Sequence, residues 1–253
     1  MNYCIFLSGG MGTRAYANLP KQYIRAGKYI MTSYSLIPLI NSKRIDEIIV
    51  VVSRDYKDFV VEDLKKNDIS CEKLAAFVVP GDTRQLSIIN GLRWIEDNRK
   101  AENRKTNNRE ENKFSNIVKT DTVLIHDGAR PFLTKKLIDD IYDAFNNEDI
   151  DGVMPAIQMK DTLYLSEDGR QITKLLDRSK IVAGQTPELF DFEKYLKANN
   201  DLIPEEIKKI SGSSQVALNA GMKLKLIPGD ENNFKITTKK DLDEFKKIKN
   251  SEF

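Results

Sequence analysis

A short apolar run near the start of the chain, Tyr3 to Leu7, ends at once in the glycine-rich stretch Ser8 to Arg14. A run of this length followed by glycines is typical of a buried β-strand that ends in a tight turn. A second run, Ile48 to Val52, is β-branched at every position instead of alternating with polar residues. This pattern is typical of a parallel strand with helices packed on both of its faces. The two runs therefore favour folds built on a covered, parallel sheet.

The alternation of strand and helix continues toward the middle of the chain. Strands are predicted at Ala75 to Val79 and at Thr122 to His126. A helix is predicted after each of them, from about Thr83 to Glu96 and from about Lys135 to Phe145. Strand, helix, strand, helix predicts an α/β fold with a doubly wound, mostly parallel sheet.

The pattern changes after a further predicted strand, Gly152 to Ala156. Two β-prone runs, Thr162 to Leu165 and Gln171 to Leu175, flank the turn residues Glu167-Asp168-Gly169, which predicts a β-hairpin. A hairpin that leaves an α/β sheet can act as an arm that pairs with another subunit. The remaining predicted elements are a helix near Glu188 to Ala198, strands at Lys223 to Ile227 and around Asn233 to Thr237, and a helix from about Lys239 to Lys249.

Periodicity disappears between Asn98 and Ile117, where most residues are Asn, Glu, Lys or Arg. The segment is predicted to be a solvated polar insertion or a frayed extension of the preceding helix. Its six basic residues are interleaved with three acidic ones, and Phe114 is its only aromatic residue. We therefore do not expect it to bind nucleic acid.

Composition excludes several classes of protein. The chain has 253 residues, 40% of them hydrophobic and 31% charged, which is ordinary for a soluble protein with a core and excludes wholesale disorder. The 40 Lys and Arg nearly balance the 38 Asp and Glu, too even a balance for a surface built to bind nucleic acid. Cys4 and Cys71 form neither a disulfide framework nor a zinc pattern, so a cytoplasmic protein is predicted. The first residues lack a basic leader and a membrane-length apolar run, so neither secretion nor membrane insertion is expected.

The glycine-rich loop after the first strand admits three interpretations. Gly10-x-Gly12-x-x-Ala15 satisfies the dinucleotide fingerprint, but no acidic residue follows at the spacing that the fingerprint requires. The P-loop pattern fails because Gly-Lys-Ser/Thr is absent. Arg14 and Lys21 follow instead, and a glycine turn with two cations suits a triphosphate attacked at its α-phosphorus. The simpler alternative is a tight turn with two surface cations.

Two further loops follow predicted strands. Pro80 to Arg84, with Ser87 one helical turn later, offers groups that could bind the edge of a base, and Asp82 or Thr83 is a natural N-cap. Asp127 ends the fourth strand, at the sheet edge where ligands of open α/β folds bind. One carboxylate together with substrate phosphates is enough for Mg²⁺. Asp127 is therefore the predicted metal ligand, with a turn cap as the alternative.

These three stretches, in this order, resemble the IspD-type cytidylyltransferases, CTP-dependent enzymes that activate methylerythritol phosphate or ribitol phosphate. The resemblance covers nearly the whole chain, apart from residues 98–117, and continues in Lys160-Asp161-Thr162, Leu176-Asp177-Arg178, Gly184-Gln185-Thr186-Pro187 and Asn233-Phe234-Lys235-Ile236-Thr237. It implies one nucleotidyltransferase domain over residues 1–253, with a GT-A-like, Rossmann-like sheet and a β-arm at about 157–183. The implied reaction is in-line attack of a phosphate monoester on CTP, giving a CDP-polyol and pyrophosphate.

The resemblance also implies the site. The catalytic cations would be Arg14, Lys21 and Lys235, Asp127 would hold Mg²⁺, and the acceptor would contact Thr162, Arg178, Ser211 and Lys235. Thr162 and Arg178 would reach across from the arm of a second subunit in a homodimer. The implied nucleotide-binding residues are Leu7, Ser8, Gly9, Gly10, Met11, Gly12, Thr13, Arg14, Lys21, Pro80, Gly81, Asp82, Arg84, Ser87, Asp127, Gly128, Ala129 and Arg130. His126, the only histidine, is predicted to fill space or to donate to a backbone carbonyl rather than to act as a pH switch or general base, because an attacking phosphate dianion needs no base.

Two departures from the family pattern concern the acceptor. The family commonly shows Thr-Asp-x-Ala-Ser where this chain has Ser211-Gly212-Ser213-Ser214-Gln215, which keeps the hydroxyl and loses the acid. Glu188 stands where Gln usually follows Thr-Pro. The strings at residues 184–187 and 130–134 favour the ribitol-phosphate branch. The alternatives are a sugar-phosphate nucleotidyltransferase that uses UTP or dTTP, and a non-catalytic nucleotide-binding protein.

Overall fold

The computed structural model describes residues 1–10, 19–106 and 120–252. Its strands are β1 (Asn2–Leu7), β2 (Arg25–Ala26), β3 (Tyr29–Ile30), β4 (Glu47–Val51), β5 (Leu74–Val78), β6 (Thr122–Asp127), β7 (Gly152–Gln158), β8 (Leu163–Leu165), β9 (Lys174–Leu176), β10 (Val182–Gly184), β11 (Glu188–Asp191) and β12 (Leu224–Pro228). Its α-helices are α1 (Met31–Asn41), α2 (Arg54–Lys65), α3 (Arg84–Thr106), α4 (Lys135–Asn146), α5 (Phe192–Asn200), α6 (Pro204–Ile207), α7 (Ser213–Asn219) and α8 (Lys239–Ser251).

The main sheet runs in the order β12, β7, β11, β6, β1, β4, β5, and β10 also pairs with β7. The strands β6, β1, β4 and β5 are all parallel, and β12 is parallel to β7. Within this sheet, among the described residues, β10 and β11 run antiparallel to their neighbours. Leu7 lies opposite both Val51 and Asp127, so β1, β4 and β6 end at the same edge. The predicted doubly wound, mostly parallel sheet is confirmed.

Alternate residues of β1 show why the central strands are apolar on both faces. Cys4 and Phe6 point into a cluster formed with α1, α2 and α4, whereas Tyr3 and Ile5 point into a cluster formed with α3, α5 and α7. All four side chains are buried. Burial on both faces removes the alternation of polar and apolar residues that a half-exposed strand would show.

Two predicted elements are wrong. Glu188 to Asp191 is the strand β11, and the helix begins only at Phe192. All four residues of β11 are buried between β6 and β7, so strand pairing overrides their local tendency. Asn233 to Thr237 forms no strand, because its polar backbone groups are bound by loops and side chains rather than by a sheet edge, as described below.

The first part of the polar segment is an extension of the preceding helix. The helix α3 continues without a break from Arg84 to Thr106, past the predicted end at Glu96. Residues 107–117 of the predicted insertion lie outside the described residues. Over the part of the chain that the structure describes, no helix is both long enough and apolar enough to cross a lipid bilayer.

The predicted hairpin is present as a separate two-stranded sheet, β8 with β9, which we call the arm. Leu163 pairs with Leu176 and Leu165 with Lys174. The second strand begins three residues later than predicted and ends one residue later. Asp168 closes the turn, because its Oδ1 accepts hydrogen bonds from two backbone N–H groups that follow it. Gly169 has a φ of +70°, which glycine adopts without strain.

Candidate functional site

A cleft of about 680 Å³ opens at the carboxyl ends of the parallel strands. The segments that follow four strands line it: the loop after β1, Ser53 shortly after β4, the loop after β5, and Asp127 at the end of β6. This is the position at which open α/β sheets bind ligands. Its described lining residues are Leu7, Ser8, Gly9, Gly10, Lys21, Gln22, Ser53, Pro80, Gly81, Asp82, Thr83, Arg84, Ser87, Asp127, Ala129 and Lys235.

The glycine loop after β1 is held from below by a short 3-10 helix, Lys21–Tyr23. Tyr23 donates from its hydroxyl to the Ser8 carbonyl at 2.7 Å, and Gln22 Nε2 donates to the carbonyls of Ser8 and Gly10. Because Gln22 and Tyr23 are buried and face the loop, Lys21 extends into the cleft from the same turn. Lys21 Nζ also donates to the Ile236 carbonyl.

Gly9 marks a close approach between the loops that follow β1 and β5. A Cβ atom built on Gly9 would lie 2.4 Å from the Pro80 Cβ. Only glycine fits this position without moving one of the loops. Gly10 is different, since a Cβ there would meet no described atom within 4 Å.

Asp127 lies at the centre of the charged groups in the cleft. Its Oδ1 accepts a hydrogen bond from Arg84 Nε at 3.0 Å and forms an ion pair with Arg84 Nη2 at 2.9 Å, and its Oδ2 accepts a hydrogen bond from Lys235 Nζ at 2.7 Å. Asp127 is 7% exposed, and burial alone would raise the pKa of its carboxyl group. Arg84 and Lys235 outweigh burial and hold that pKa well below its ordinary value. The carboxylate therefore stays ionised at neutral pH.

Lys235 reaches the cleft because its segment is held against the turn after β6. The Ile236 N–H donates to the Ala129 carbonyl at 2.8 Å, and Arg130 Nη1 donates to the Asn233 carbonyl at 2.6 Å. The two hydrogen bonds lie on either side of Lys235 and fix its backbone beside Asp127.

Gln185 provides a second anchor for the same segment. Its amide accepts from the Asp230 N–H at 3.0 Å and donates to the Asp230 carbonyl at 2.9 Å. Asn233, fully buried, donates from Nδ2 to the Thr186 carbonyl at 2.9 Å. Two of the strings that carry the family resemblance, residues 184–187 and 233–237, thus contact each other and together place Lys235.

Arg84 also faces a second buried carboxylate. Its Nη1 donates to Ser213 Oγ at 3.0 Å, and the Ser213 hydroxyl donates in turn to Glu188 Oε2. Burial raises the pKa of Glu188, while Ser213 and Arg84 oppose that rise. Burial lowers the pKa of Arg84, but Asp127 and Glu188 outweigh it, so the Arg84 pKa is raised overall.

The loop after β5 folds back on the start of α3. Thr83 is the N-cap, since its Oγ1 accepts a hydrogen bond from the Leu86 N–H at 3.1 Å. Ser87 Oγ accepts from the Gly81 N–H at 3.1 Å, which brings Gly81 and Asp82 to the cleft wall. Of the two N-caps that the sequence allowed, the structure has Thr83.

The residues present fit one divalent cation held mainly by its substrate. Among residues 1–10, 19–106 and 120–252, no three His, Cys, Asp or Glu side chains come together in the way that a protein-enclosed metal site would need. Mg²⁺ is commonly bound by one or two carboxylates plus substrate phosphates. Asp127 lines the cleft, and its Oδ2, which accepts one hydrogen bond from Lys235, can accept a further contact, so it can serve as that single carboxylate.

Most of the described residues that were predicted to bind the nucleotide do line the cleft, and the others lie around it. Gly128 lies beneath it, where a Cβ would come within 2.9 Å of the Phe6 ring, and Arg130 supports the Lys235 segment. Thr162 and Arg178 are exposed in or next to the arm, and Ser211 bonds Gln215 instead of facing the cleft. The predicted residues that lie outside the described ones are Met11, Gly12, Thr13 and Arg14.

Two lining residues were missed in the sequence: Gln22 and Ser53. Ser53 follows β4 closely, so the strand-end rule that identified Asp127 would also have found it. Gln22 adjoins Lys21, but only its contacts with the glycine loop show why it matters. His126 is fully buried against Phe6, with a ring separation of 6.1 Å. Burial lowers the pKa of His126 to about 3, so the ring is neutral at pH 7 and fills space.

Comparisons with known proteins give one family. A model of the family described as "IspD: 2-C-methyl-D-erythritol 4-phosphate cytidylyltransferase" matches residues 3–102 and 108–249. A 2-C-methyl-D-erythritol 4-phosphate cytidylyltransferase from Clostridium beijerinckii is 33% identical over 94% of this chain and 93% of its own length. A ribitol-5-phosphate cytidylyltransferase from Lactiplantibacillus plantarum is 31% identical over 96% of this chain and 95% of its own length.

Solved structures agree on the fold. The 4-diphosphocytidyl-2C-methyl-D-erythritol synthase of Anaerococcus prevotii superposes with a TM-score of 0.72 at 24% identity, covering 98% of this chain and 95% of its own. Some relatives are longer: this chain spans 53% of a bifunctional IspD/IspF enzyme from Wolbachia pipientis, to which it is 28% identical over 94% of its own length.

Proposed function

This chain belongs to the IspD family of cytidylyltransferases, and on that premise we propose that it transfers CMP from CTP to a polyol phosphate. The products are a CDP-polyol and pyrophosphate. The observation that carries the proposal is that Lys21, Arg84 and Lys235 line one cleft beside the glycine loop, where Arg84 and Lys235 both bind Asp127. Phosphoryl-type transfer depends on positioning and on charge stabilisation, and this arrangement can supply both.

The proposed chemistry needs no nucleophile from the protein. A phosphate oxygen of the acceptor forms a bond to the α-phosphorus of CTP while the bond to pyrophosphate breaks. Lys21 and Lys235 offset the charge that develops on the phosphoryl group and on the leaving pyrophosphate. Arg14 is proposed for the same role from the family resemblance alone. Mg²⁺, held by Asp127, would neutralise phosphate charge when bound.

The proposed nucleotide position follows from the walls of the cleft. The backbone N–H groups of Gly9 and Gly10 can bind phosphate oxygens, because consecutive backbone amides form an anion-binding concavity; the Ser8 N–H donates to the Val51 carbonyl instead. The loop from Gly81 to Ser87 offers backbone groups, a carboxylate and a hydroxyl to the base. In this proposal the triphosphate lies over the glycine loop and the cytosine against the loop after β5.

We propose ribitol 5-phosphate as the preferred acceptor, on the strength of the strings at residues 184–187 and 130–134. Relatives named for either polyol phosphate are about equally similar to this chain, at 31% and 33% identity, so 2-C-methyl-D-erythritol 4-phosphate is the second candidate. Thr162 and Arg178 are proposed to contact the acceptor from the arm of a second copy. Ser211 is proposed as a further contact.

The test is pyrophosphate release from CTP with Mg²⁺ against a panel of acceptors: ribitol 5-phosphate, 2-C-methyl-D-erythritol 4-phosphate, erythritol phosphate and glycerol phosphate. UTP and dTTP are run in parallel. We expect turnover with CTP and one polyol phosphate, and a loss of about 100-fold in Lys21→Ala and Lys235→Ala. Lys43→Ala, an exposed cation outside the cleft lining, is the control. Failure to bind CTP would overturn the proposal. CTP binding without pyrophosphate release for any acceptor would overturn the proposed acceptor class.

A further inference from the structure

Arg84 is held between two buried carboxylates. Its Nε and Nη2 bond Asp127 on one side, and its Nη1 bonds Ser213 on the other. The Ser213 hydroxyl links Arg84 to Glu188, because it accepts a hydrogen bond from Arg84 and donates one to Glu188. Asp127 and Glu188 are 7% and 4% exposed. Of the two, only Asp127 is among the described residues that line the cleft.

Glu188 would be costly to bury without these partners. A buried carboxylate needs hydrogen bonds and a nearby cation to offset its desolvation. The Ser213 hydroxyl, in the first turn of α7, donates to Glu188, and Arg84 provides the positive charge. All of the groups that compensate Glu188 therefore come either from Arg84 or from the segment that contacts Arg84.

Asp127 contacts Arg84 through Oδ1 only, while its Oδ2 is bound by Lys235. A guanidinium is planar, and its donors keep a fixed geometry, so contacts on both edges restrict both its tilt and its translation. A cation that is fixed before the ligand arrives costs less to order when the ligand binds. The second contact, through Ser213 to Glu188, thus has a function in a cleft that must hold a triphosphate.

We infer that Glu188 is a positioning residue, which acts through Ser213 to orient the Arg84 guanidinium for the nucleotide. This inference rests on the proposed function and deepens it. Glu188 and Ser213 fall at the two places where the chain departs from the family pattern: an acid gained after Thr186-Pro187, and an acid lost in Ser211 to Gln215. The structure brings the two departures into contact, so the gained carboxylate stands beside the segment that lacks one.

The experiment measures steady-state kinetics for CTP and for the acceptor in Glu188→Gln and Ser213→Ala. We expect the KM for CTP to rise about tenfold in each variant, as for loss of a charge-assisted contact, while kcat changes less than about threefold and the acceptor KM less than about twofold. The Kd for CTP, measured by calorimetry, should rise in parallel. If the two residues had only a structural role, the substitutions would lower the free energy of unfolding without this selective rise in the KM and Kd for CTP.

Rescue gives the sharper readout. Ser213→Asp placed on Glu188→Gln returns a carboxylate to the first residue of α7, where an acid is also favoured by the helix dipole. We expect the double variant to recover the KM for CTP to within about threefold of wild type. Glu193→Gln, an exposed acid on α5 that pairs with Arg99, is the matched control and should leave both KM values unchanged.

The outcomes separate this inference from the proposed function. Folding is first verified by circular dichroism and thermal unfolding, and Ser213→Ala, which removes one oxygen atom, remains informative if Glu188→Gln unfolds. An active wild type with an unchanged KM and Kd for CTP in the folded variants would overturn the inference and leave the proposed function standing. A wild type that neither binds CTP nor releases pyrophosphate would overturn both.

Discussion

Asp127 is shared by two cations that reach it from distant parts of the sequence. Arg84 is the first residue of α3, and Lys235 comes from the segment between β12 and α8. Their charges outweigh the desolvation that would otherwise raise the Asp127 pKa. An ionised carboxylate at a strand end can therefore hold two cations beside the glycine loop. Sequence reasoning found all three residues, but it could not show that they form one cluster.

The two neighbouring glycines of the loop after β1 differ in what surrounds them, and this gives a prediction at the residue scale. In Gly9→Ala the new methyl group would overlap the Pro80 ring, whose Cβ and Cγ lie 2.4 and 2.7 Å from its position. The proline ring cannot rotate away, so one loop must shift. We expect the free energy of unfolding to fall by about 1–3 kcal/mol, measured by urea denaturation.

Gly10→Ala is the matched control, since its methyl group would meet no described atom within 4 Å. We expect its free energy of unfolding to stay within about 0.5 kcal/mol of wild type. Equal losses of stability in the two variants would show that the contact with Pro80 does not determine the glycine at position 9.

At the scale of elements, sequence patterns located the parallel strands of the core and the helices α3, α4 and α8. They failed where hydrogen bonds come from remote parts of the chain. Polar and apolar residues alternate from Asn233 to Thr237, as they do in an edge strand. The backbone of this segment is instead hydrogen-bonded to the Arg130 side chain and to the Ala129 carbonyl. Glu188 to Asp191 pairs with β6 and β7, two strands that come beside it only when the sheet has formed. Local periodicity carries no information on such partners.

The helix α8 begins with a capping box, and its pH dependence can be predicted. Asp241 accepts hydrogen bonds from the N–H groups of Thr237 and Thr238 and from the Thr237 hydroxyl. Burial opposes ionisation, but these hydrogen bonds outweigh it and lower the pKa of Asp241 from 3.8 to about 2. Because the folded pKa lies below the unfolded one, the contribution to stability is full above about pH 4 and is lost as pH falls toward about 2.

Asp241→Asn is expected to lower the free energy of unfolding by about 1 kcal/mol at pH 7. The difference in the free energy of unfolding between the variant and wild type should shrink as pH falls from 4 toward 2, because protonation then removes the charge of wild-type Asp241. Urea denaturation at pH 7, 5, 4 and 3 measures it. Asp243→Asn, exposed on the same helix, removes one charge without touching the cap. A difference that does not depend on pH would contradict the role of the ionised carboxylate.

On the scale of the whole molecule, the strand-end rule explains why so much of the cleft could be predicted. Loops that follow parallel strands meet at one edge of the sheet, so residues after β1, β5 and β6 had to converge. The interaction of Glu188 with Arg84 could not be predicted in this way. Glu188 lies at the start of an antiparallel strand, and Ser213 comes from a short helix, so their meeting depends on how β11 and α7 pack.

The arm leaves apolar side chains in solvent. Ile172 is 66% exposed, Leu175 62% and Tyr164 54%, although large apolar side chains are seldom grouped on the surface of a monomer. Arg178 follows β9 closely, and its Nη1 donates to the Lys160 carbonyl, so it is held at the base of the arm. These features support the proposal that the arm packs on a second copy and carries Arg178 to that copy's cleft.

Mixing two inactive variants tests this arrangement. Lys21→Ala damages the cleft and Arg178→Ala damages the arm, so each homodimer should be inactive when the arm of one subunit serves the cleft of the other. After unfolding and refolding together, half of the dimers are mixed, and each mixed dimer has one intact site of two. We therefore expect about a quarter of the wild-type pyrophosphate release. Ile172→Glu should shift the sedimentation coefficient toward that of a monomer and abolish this recovery. If wild type sediments as a monomer, or if the mixture stays inactive, the arm does not complete a neighbouring site.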